Sequence, residues 1–300
     1  MVNKITYIGL LGFGTVGRSV FEILEKNHAF ISKKMESEIR VKSICVKDLK
    51  KDRGIDKKYF TDDYTAIAED PEISIVVELM GDCPEALDAM KRALARGNSV
   101  VTANKALVAR HGPELFELAR SNNCEILFEA SVGGGIPILR SLREGLSANH
   151  VRSLHGIING TSNYILTKMT QESADYDTVL SEAQKLGYAE ADPTADVEGH
   201  DAAYKLCILS MLCHGKVISV EDVFCKGISF IKPIDIEMAG KFGYTIKLLG
   251  ITKLHEDGIS ARVHPTMIRA SNALAHVNGA FNAVQYDCDY AGEGMLYGLG

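Results

Sequence analysis

The chain has 300 residues, 46% of them hydrophobic and 24% charged, with 33 Lys plus Arg against 39 Asp plus Glu and a net charge of −6. That length suggests about two domains, and the balance excludes gross disorder, which needs low hydrophobicity and a strong charge excess. The acidic balance also lacks the footprint of a nucleic-acid binder, and no apolar run approaches the ~18 residues of a membrane span, so neither nucleic acid nor membrane is expected as a partner.

Ile5–Leu11 is an apolar run ending at Gly12 and reads as a strand, and apolar residues at Val16, Val20, Ile23 and Leu24 predict a helix over Val16–Lys26. Further strands are expected at Ile39–Val46, Ile73–Leu79, Ser99–Thr102 and Glu125–Phe128. Helices are expected at Pro84–Arg96 and Pro113–Arg120, each with Pro near its first turn. This alternation predicts an α/β fold for residues 1–130, a doubly wound parallel sheet covered on both faces.

The composition changes after the glycine-rich Ser131–Gly135. A helix is expected at Ile136–Glu144, then a strand at Val151–Ile158 and helices around 162–170, 176–186 and 198–213. Strands return at Thr245–Leu254, Ile259–Val263 and Ala280–Gln285. Segregated blocks of this kind predict an α+β domain over 131–300. The seven cysteines form no C-x-x-C pair, and the N-terminus shows no signal-peptide pattern, so the expected compartment is a reducing cytoplasm.

Gly12-Phe13-Gly14-Thr15-Val16-Gly17 follows the first strand and opens the first helix. That is the setting of a Rossmann-type dinucleotide fingerprint. Gly12 permits the tight turn, Gly14 lets the backbone approach a pyrophosphate, and Gly17 allows close helix–strand packing. A ligand-free glycine turn is the bland alternative, and the context counts against it. After the second strand come Lys47 and Asp48, with Lys50, Lys51 and Arg53 behind them. Lys47 suits a 2′-phosphate and Asp48 a bare ribose, with the weight leaning to NADP over NAD.

Lys105 lies just past the fourth strand, where open α/β sheets bind ligands. The competing reading is an ordinary surface lysine, although a cation at a helix start is unfavourable without an anion. Residues 187–201 hold five carboxylates: Glu190, Asp192, Asp196, Glu198 and Asp201. Their spacing is not that of a calcium loop. A solvated acidic loop is the bland reading, but the helix that follows is apolar nearly all round, hence buried. Asp201 and Lys205 sit one turn apart on it, on a face expected to be covered. Buried ionisable groups are kept where they are matched and used, which makes Lys205 the candidate acid–base group. Glu129 and the carbonyls of 129–137 suit a hard monovalent cation, or merely a tight turn. No histidine or cysteine spacing indicates a transition metal.

Together these segments closely resemble homoserine dehydrogenase, over essentially the whole chain. The marks are GFGTVG at 12–17, VVELMG at 76–81, TANKAL at 102–107, EASVGGGIPI at 129–138, GIINGTSNYIL at 156–166 and GYAEADPTADVEGHDAAYKL at 187–206. The resemblance implies NAD(P)-dependent interconversion of L-homoserine and L-aspartate 4-semialdehyde, in the biosynthesis of threonine, methionine and isoleucine. It implies Lys205 as proton donor and acceptor, with Lys105 beside nicotinamide and substrate. Glu190 and Asp201 would bind homoserine, with Asp196 in support. Phe13, Thr15 and Val16 would contact the cofactor, and Gly187 would approach it. A sodium ion would sit among Glu129, Val132, Gly134 and Ile136, and the second domain would form a homodimer.

Two departures stand out. Asp82 replaces the family's usual second glycine, and the family continues past residue 300 through a return helix and often a regulatory ACT domain. The expectation is therefore a fragment or a short form. A non-catalytic dinucleotide sensor and a dehydrogenase for another amino-acid-derived aldehyde are the alternative readings.

Overall fold

The computed structural model describes residues 5–300. The chain divides into two compact units, Met1–Phe128 and Glu129–Gly300. The first holds β1 (Ile5–Leu11), α1 (Thr15–Lys26), α2 (His28–Met35), β2 (Glu38–Cys45), β3 (Phe60–Thr61), α3 (Tyr64–Ala68), β4 (Ile73–Glu78), α4 (Pro84–Ala95), β5 (Ser99–Thr102), α5 (Lys105–Ser121) and β6 (Ile126–Leu127). The strands pair in parallel in the order β3-β2-β1-β4-β5-β6. That is the order of a Rossmann sheet, and it reverses between β1 and β4, the point outside which such sheets bind ligands. The central strand β1 buries Ile8, Leu10 and Leu11, because neighbours and helices cover both of its faces.

The second unit is α+β. It holds α6 (Ile138–Arg140), continued by a wider π turn at Ser141–Gly145, then β7 (Val151–Ile157), α7 (Gly160–Glu172), α8 (Tyr176–Leu186), α9 (Thr194–Val197) and α10 (His200–His214). β8 (Phe224–Cys225), α11 (Pro233–Lys241), β9 (Tyr244–Leu254), β10 (Ile259–Arg269), β11 (Phe281–Cys288) and β12 (Glu293–Leu299) follow. The sheet order is β12-β11-β7-β9-β10-β8, antiparallel except where β8 meets β10. Helix α10 buries Ala202, Ala203, Leu206, Cys207, Ile208 and Leu209, and Ser210 reaches Thr252 of β9 at 3.0 Å.

Several elements depart from the sequence reading. The helix expected at Pro113 starts at Lys105 and carries Pro113 inside it. Its start is set by Asn104, whose side chain accepts from the Leu107 N–H at 3.2 Å, and Pro113 lies on the exposed face. The helix expected at 136–144 begins at Ile138, behind Pro137, and widens into the π turn. The helix expected from 198 begins at His200, because Gly199 adopts a left-handed φ of 85°. β10 runs on to Arg269 through Pro265, and β11 spans Phe281–Cys288. The helices α2, α3, α9 and α11 and the strands β3, β8 and β12 are additional. Most are short, and β12, with two glycines in seven residues, gives little alternating signal.

Candidate active site

In the first unit the glycine motif forms the turn from β1 into α1. Gly12 has φ 100°, and a Cβ there would lie 2.5 Å from the Leu79 carbonyl oxygen. A Cβ on Gly17 would overlap the Gly12 carbonyl, whereas one on Gly14 would meet nothing within 4 Å. Gly14 caps α1 without a side-chain hydrogen bond, and no acid occupies the first turn. The helix therefore presents open backbone N–H groups and its positive dipole end, which suits a dinucleotide pyrophosphate. Thr15 and Val16 are exposed at this end. The Phe13 ring instead packs at 5.9 Å from Phe21 and 5.6 Å from Phe60, with the Arg18 guanidinium 5.3 Å above it.

Beyond β2, Lys47 and Asp48 are both exposed. The Asp48 carboxylate accepts from the Lys50 N–H at 2.8 Å and so closes its own turn. Arg53 donates to the carbonyls of Asp48 (2.7 Å) and Lys51 (2.9 Å), and Arg18 donates to the Arg53 carbonyl at 2.8 Å. This corner is rich in cations, and the Asp48 carboxylate within it is engaged by backbone.

At the carboxyl ends of β4 and β5 a cavity of about 270 Å³ is lined by Val16, Glu78, Leu79, Asp82, Asn104 and Lys105, among others. Beneath it lies a buried polar network. Thr102 donates to Glu78 at 2.6 Å, the Met80 N–H donates to Glu78 at 2.7 Å, and Asn104 donates through its amide to the Gly81 carbonyl at 2.8 Å. Glu78 is fully buried. Burial pushes its carboxyl above the usual range, opposed by the Thr102 and Met80 hydrogen bonds. The network holds Asn104, the cap that starts α5 and places Lys105 on its first turn. Asp82 pairs with Arg110 of α5 at 2.9 Å.

In the second unit, Lys205 donates to the Asp201 carboxylate at 2.7 Å and to the Ile158 carbonyl at 2.9 Å. The Lys205 and Asp201 side chains are 18% and 9% exposed. Asn159 donates to Asp201 at 2.9 Å and to Asp196 at 2.7 Å. Ser162 donates to the Asp196 carbonyl at 2.7 Å, tying α9 to α7. Asp196, Asn159, Asp201 and Lys205 thus form one continuous hydrogen-bonded cluster. Glu190 lies outside it, exposed on the loop before α9, with its backbone carbonyl accepting from Gln184 at 3.1 Å. Asp192 is taken up by the Thr194 N–H and hydroxyl. Gly187, with φ 81°, is the exposed C-cap of α8.

The loop expected to hold a cation begins with Glu129, whose carboxylate accepts from the N–H groups of Leu139 (2.9 Å) and Arg140 (2.8 Å). It thereby caps the start of α6. Val132 and Ile136 are buried, and Gly134 is left-handed with φ 54°. The Ile136 carbonyl accepts from the Ile138 N–H at 2.8 Å. Among the described residues no three His, Cys, Asp or Glu side chains gather as a metal-binding group.

The family profile described as "Homoserine dehydrogenase, NAD binding domain" matches residues 12–129, and the one described as "Homoserine dehydrogenase" matches 137–300. The chain belongs to the homoserine dehydrogenase family. A homoserine dehydrogenase of Synechocystis sp. is 46% identical over 299 residues, which cover 98% of this chain and 69% of that one. The crystal structure of a homoserine dehydrogenase from Thiobacillus denitrificans superposes with a TM-score of 0.94 at 46% identity, covering 99% of this chain and 69% of that one. A hyperthermophilic archaeal homoserine dehydrogenase in complex with NADPH superposes with a TM-score of 0.83 at 29% identity, covering 99% and 92%.

Within this homoserine dehydrogenase fold, two groups, one in each unit, escaped the sequence reading. Glu78 ends an apolar strand, and an acid at the carboxyl end of a buried strand was its available signal. Asn159 lies inside a run of small polar residues, where spacing alone does not separate a helix cap from a partner of two carboxylates.

Proposed function

We propose that this chain interconverts L-homoserine and L-aspartate 4-semialdehyde, with Lys205 as the group that gives and takes the proton. The observation carrying this reading is the cluster in which a largely buried lysine is matched to Asp201 and the Ile158 carbonyl. Of the three ammonium hydrogens, these partners take two, leaving the third for a reacting oxygen. In reduction that hydrogen passes as a proton to the alkoxide developing at C4. In oxidation the neutral amine removes the hydroxyl proton.

A nicotinamide dinucleotide, when bound, supplies or accepts the hydride. The open N–H groups of α1 and the contact-free Gly14 fit its pyrophosphate, with Gly12, Thr15, Val16 and Gly17 shaping the turn. Lys105, on the wall of the cavity at the ends of β4 and β5, serves the nicotinamide end and the substrate. Asp201 and Glu190 take the substrate ammonium, with Asp196 in support, and Gly187 stands in the same loop. NADP is favoured over NAD because Asp48 is engaged by its own turn while Lys47 and its neighbours offer positive charge. The archaeal relative in complex with NADPH supports the same choice.

The carbonyl-rich loop of Glu129, Val132, Gly134 and Ile136 offers the oxygen-only donors suited to sodium, with the Glu129 lone pairs not used by Leu139 and Arg140 supplying the charge. Association as a homodimer through the second unit is supported by β12, an edge strand that leaves Met295, Tyr297 and Leu299 40%, 52% and 63% exposed. No helix among the described residues is long and apolar enough to cross a membrane, and the seven cysteines, all free thiols, suit the reducing cytoplasm of this reading.

The test is cofactor reduction at 340 nm with L-homoserine and with other amino alcohols, compared by their specificity constants. A preference for L-homoserine by about a hundredfold or more, the order by which a shaped pocket rejects an analogue differing by one methylene, supports the assignment. Equal use of the analogues contradicts it in favour of another aldehyde, and cofactor binding without turnover favours a sensor.

A further inference from the structure

We propose that Asn159 is a positioning residue for this reaction: its single side-chain amide spans Asp196 and Asp201 and fixes the carboxylate against which Lys205 works. This rests on the reading of Lys205 as the proton-transfer group.

Asn159 caps α7 and is 6% exposed. Its Oδ1 accepts from the Ser162 N–H at 2.8 Å. That bond settles which end of the amide is which, so Nδ2 is the end that faces the carboxylates. Both Nδ2 hydrogens are then used, one on Asp196 Oδ1 at 2.7 Å and one on Asp201 Oδ2 at 2.9 Å. Asp201 Oδ2 is also the atom that receives Lys205. The preceding carbonyl, that of Ile158, takes another hydrogen of the same ammonium. Two consecutive residues at the end of β7 therefore hold both members of the ion pair.

The choice of an amide has a physical reason. Two carboxylates must be held near one lysine without a further proton donor or a further charge. Among the hydrogen bonds described above, the charged groups connected to Lys205 are Asp201 from its own helix and, through Asn159, Asp196 from α9. What α7 and the end of β7 present to them is uncharged. A carboxylate at 159 cannot donate to either aspartate, and it adds a third negative charge that favours the ammonium over the amine. A serine there is neutral but too short to span both carboxylates. Ser, Asp and Asn are all strong helix N-caps, so Asn159→Ser and Asn159→Asp keep the structural role and remove the bridge.

The experiment measures homoserine oxidation against pH for the wild type, Asn159→Ser, Asn159→Asp and Lys205→Ala, with melting temperature and NADP affinity in parallel. The expected result is a fall in kcat of about 10²-fold in Asn159→Ser, on the scale of lost alignment, with melting temperature and cofactor affinity near wild type. In Asn159→Asp the rising limb of the profile moves to higher pH as well. A purely structural cap is indicated, and the proposal overturned, if both variants keep the wild-type kcat and pH limb, or lose activity only in step with melting temperature. Loss of turnover in Lys205→Ala with wild-type behaviour at 159 removes the Asn159 role alone. Full turnover in Lys205→Ala removes the lysine reading and this proposal together.

Discussion

Lys205 and Asp201 stand one turn apart on α10 with Nζ 2.7 Å from Oδ2, on a helix buried nearly all round. An exposed pair with this spacing would be worth at most ~0.5 kcal/mol. Buried as it is, the pair holds the Lys205 ammonium in a fixed position against Asp201. Asp201→Asn keeps the volume and removes the anion that favours the ammonium. The kcat for homoserine oxidation is expected to fall, with weaker apparent binding of homoserine read as a raised KM. Unchanged kcat and KM would show that Asp201 does not position the lysine.

The three glycines of the nucleotide turn separate by what a methyl group would meet. Gly17→Ala drives its Cβ into the Gly12 carbonyl and is expected to cost stability throughout the first unit, read as a lowered melting temperature. Gly14→Ala meets no protein atom, so the fold is retained while the methyl group stands where the pyrophosphate approaches. Calorimetry is expected to show NADP affinity reduced tenfold or more at an unchanged melting temperature. Wild-type affinity in Gly14→Ala would move the phosphate site elsewhere.

Cofactor preference is tested most cleanly at Lys47, which is exposed, whereas Arg53 also braces its own loop through two backbone carbonyls. Lys47→Glu is expected to lower the preference for NADP over NAD, read from the two specificity constants, by about tenfold, the worth of one hydrogen bond to a charged group. Raised salt should narrow the difference, since the corner is solvated. A preference insensitive to Lys47 would count against NADP recognition there.

Lys247 on β9 is 1% exposed and donates to the Val277 carbonyl at 2.6 Å and to the Asn163 and Asn278 side-chain oxygens, all neutral partners. Burial pushes its ammonium down to about 8. The unfolded chain keeps that proton up to about 10.4. Between those values the unfolded state binds more protons, so stability rises with pH across this window, by up to about 1.4 kcal/mol per pH unit. Below pH 8 the group contributes no slope. Denaturant titrations at pH 7.5 to 10 are expected to show the wild type gaining on Lys247→Met. Parallel curves would refute the assignment.

Much of this was legible because burial leaves a pattern in sequence. The continuous apolar runs of β1 and β4 and the Gly12-Phe13-Gly14-Thr15-Val16-Gly17 turn specify a parallel sheet and its switch point. The i, i+4 placement of Asp201 and Lys205 on an apolar helix likewise specifies a buried pair. What escaped depends on partners distant in the chain. Asn159 meets Asp196 and Asp201 across 37 and 42 residues, and Glu78 meets Thr102 across 24. Pro113 misled because an N-terminal proline and an exposed interior one look alike until the Asn104 cap is seen. The loop of five carboxylates looked uniform, yet the N–H and hydroxyl of Thr194 claim Asp192, solvent keeps Glu190, and Asp196 and Asp201 reach the cluster.

The most direct measurement is absorbance at 340 nm with L-homoserine and NADP at alkaline pH, for the wild type and Lys205→Ala side by side, with cofactor affinity measured on both. The expected result is cofactor reduction by the wild type and a kcat lower by about 10²- to 10⁴-fold in the variant, at equal cofactor affinity. Equal turnover by the two proteins would contradict the account.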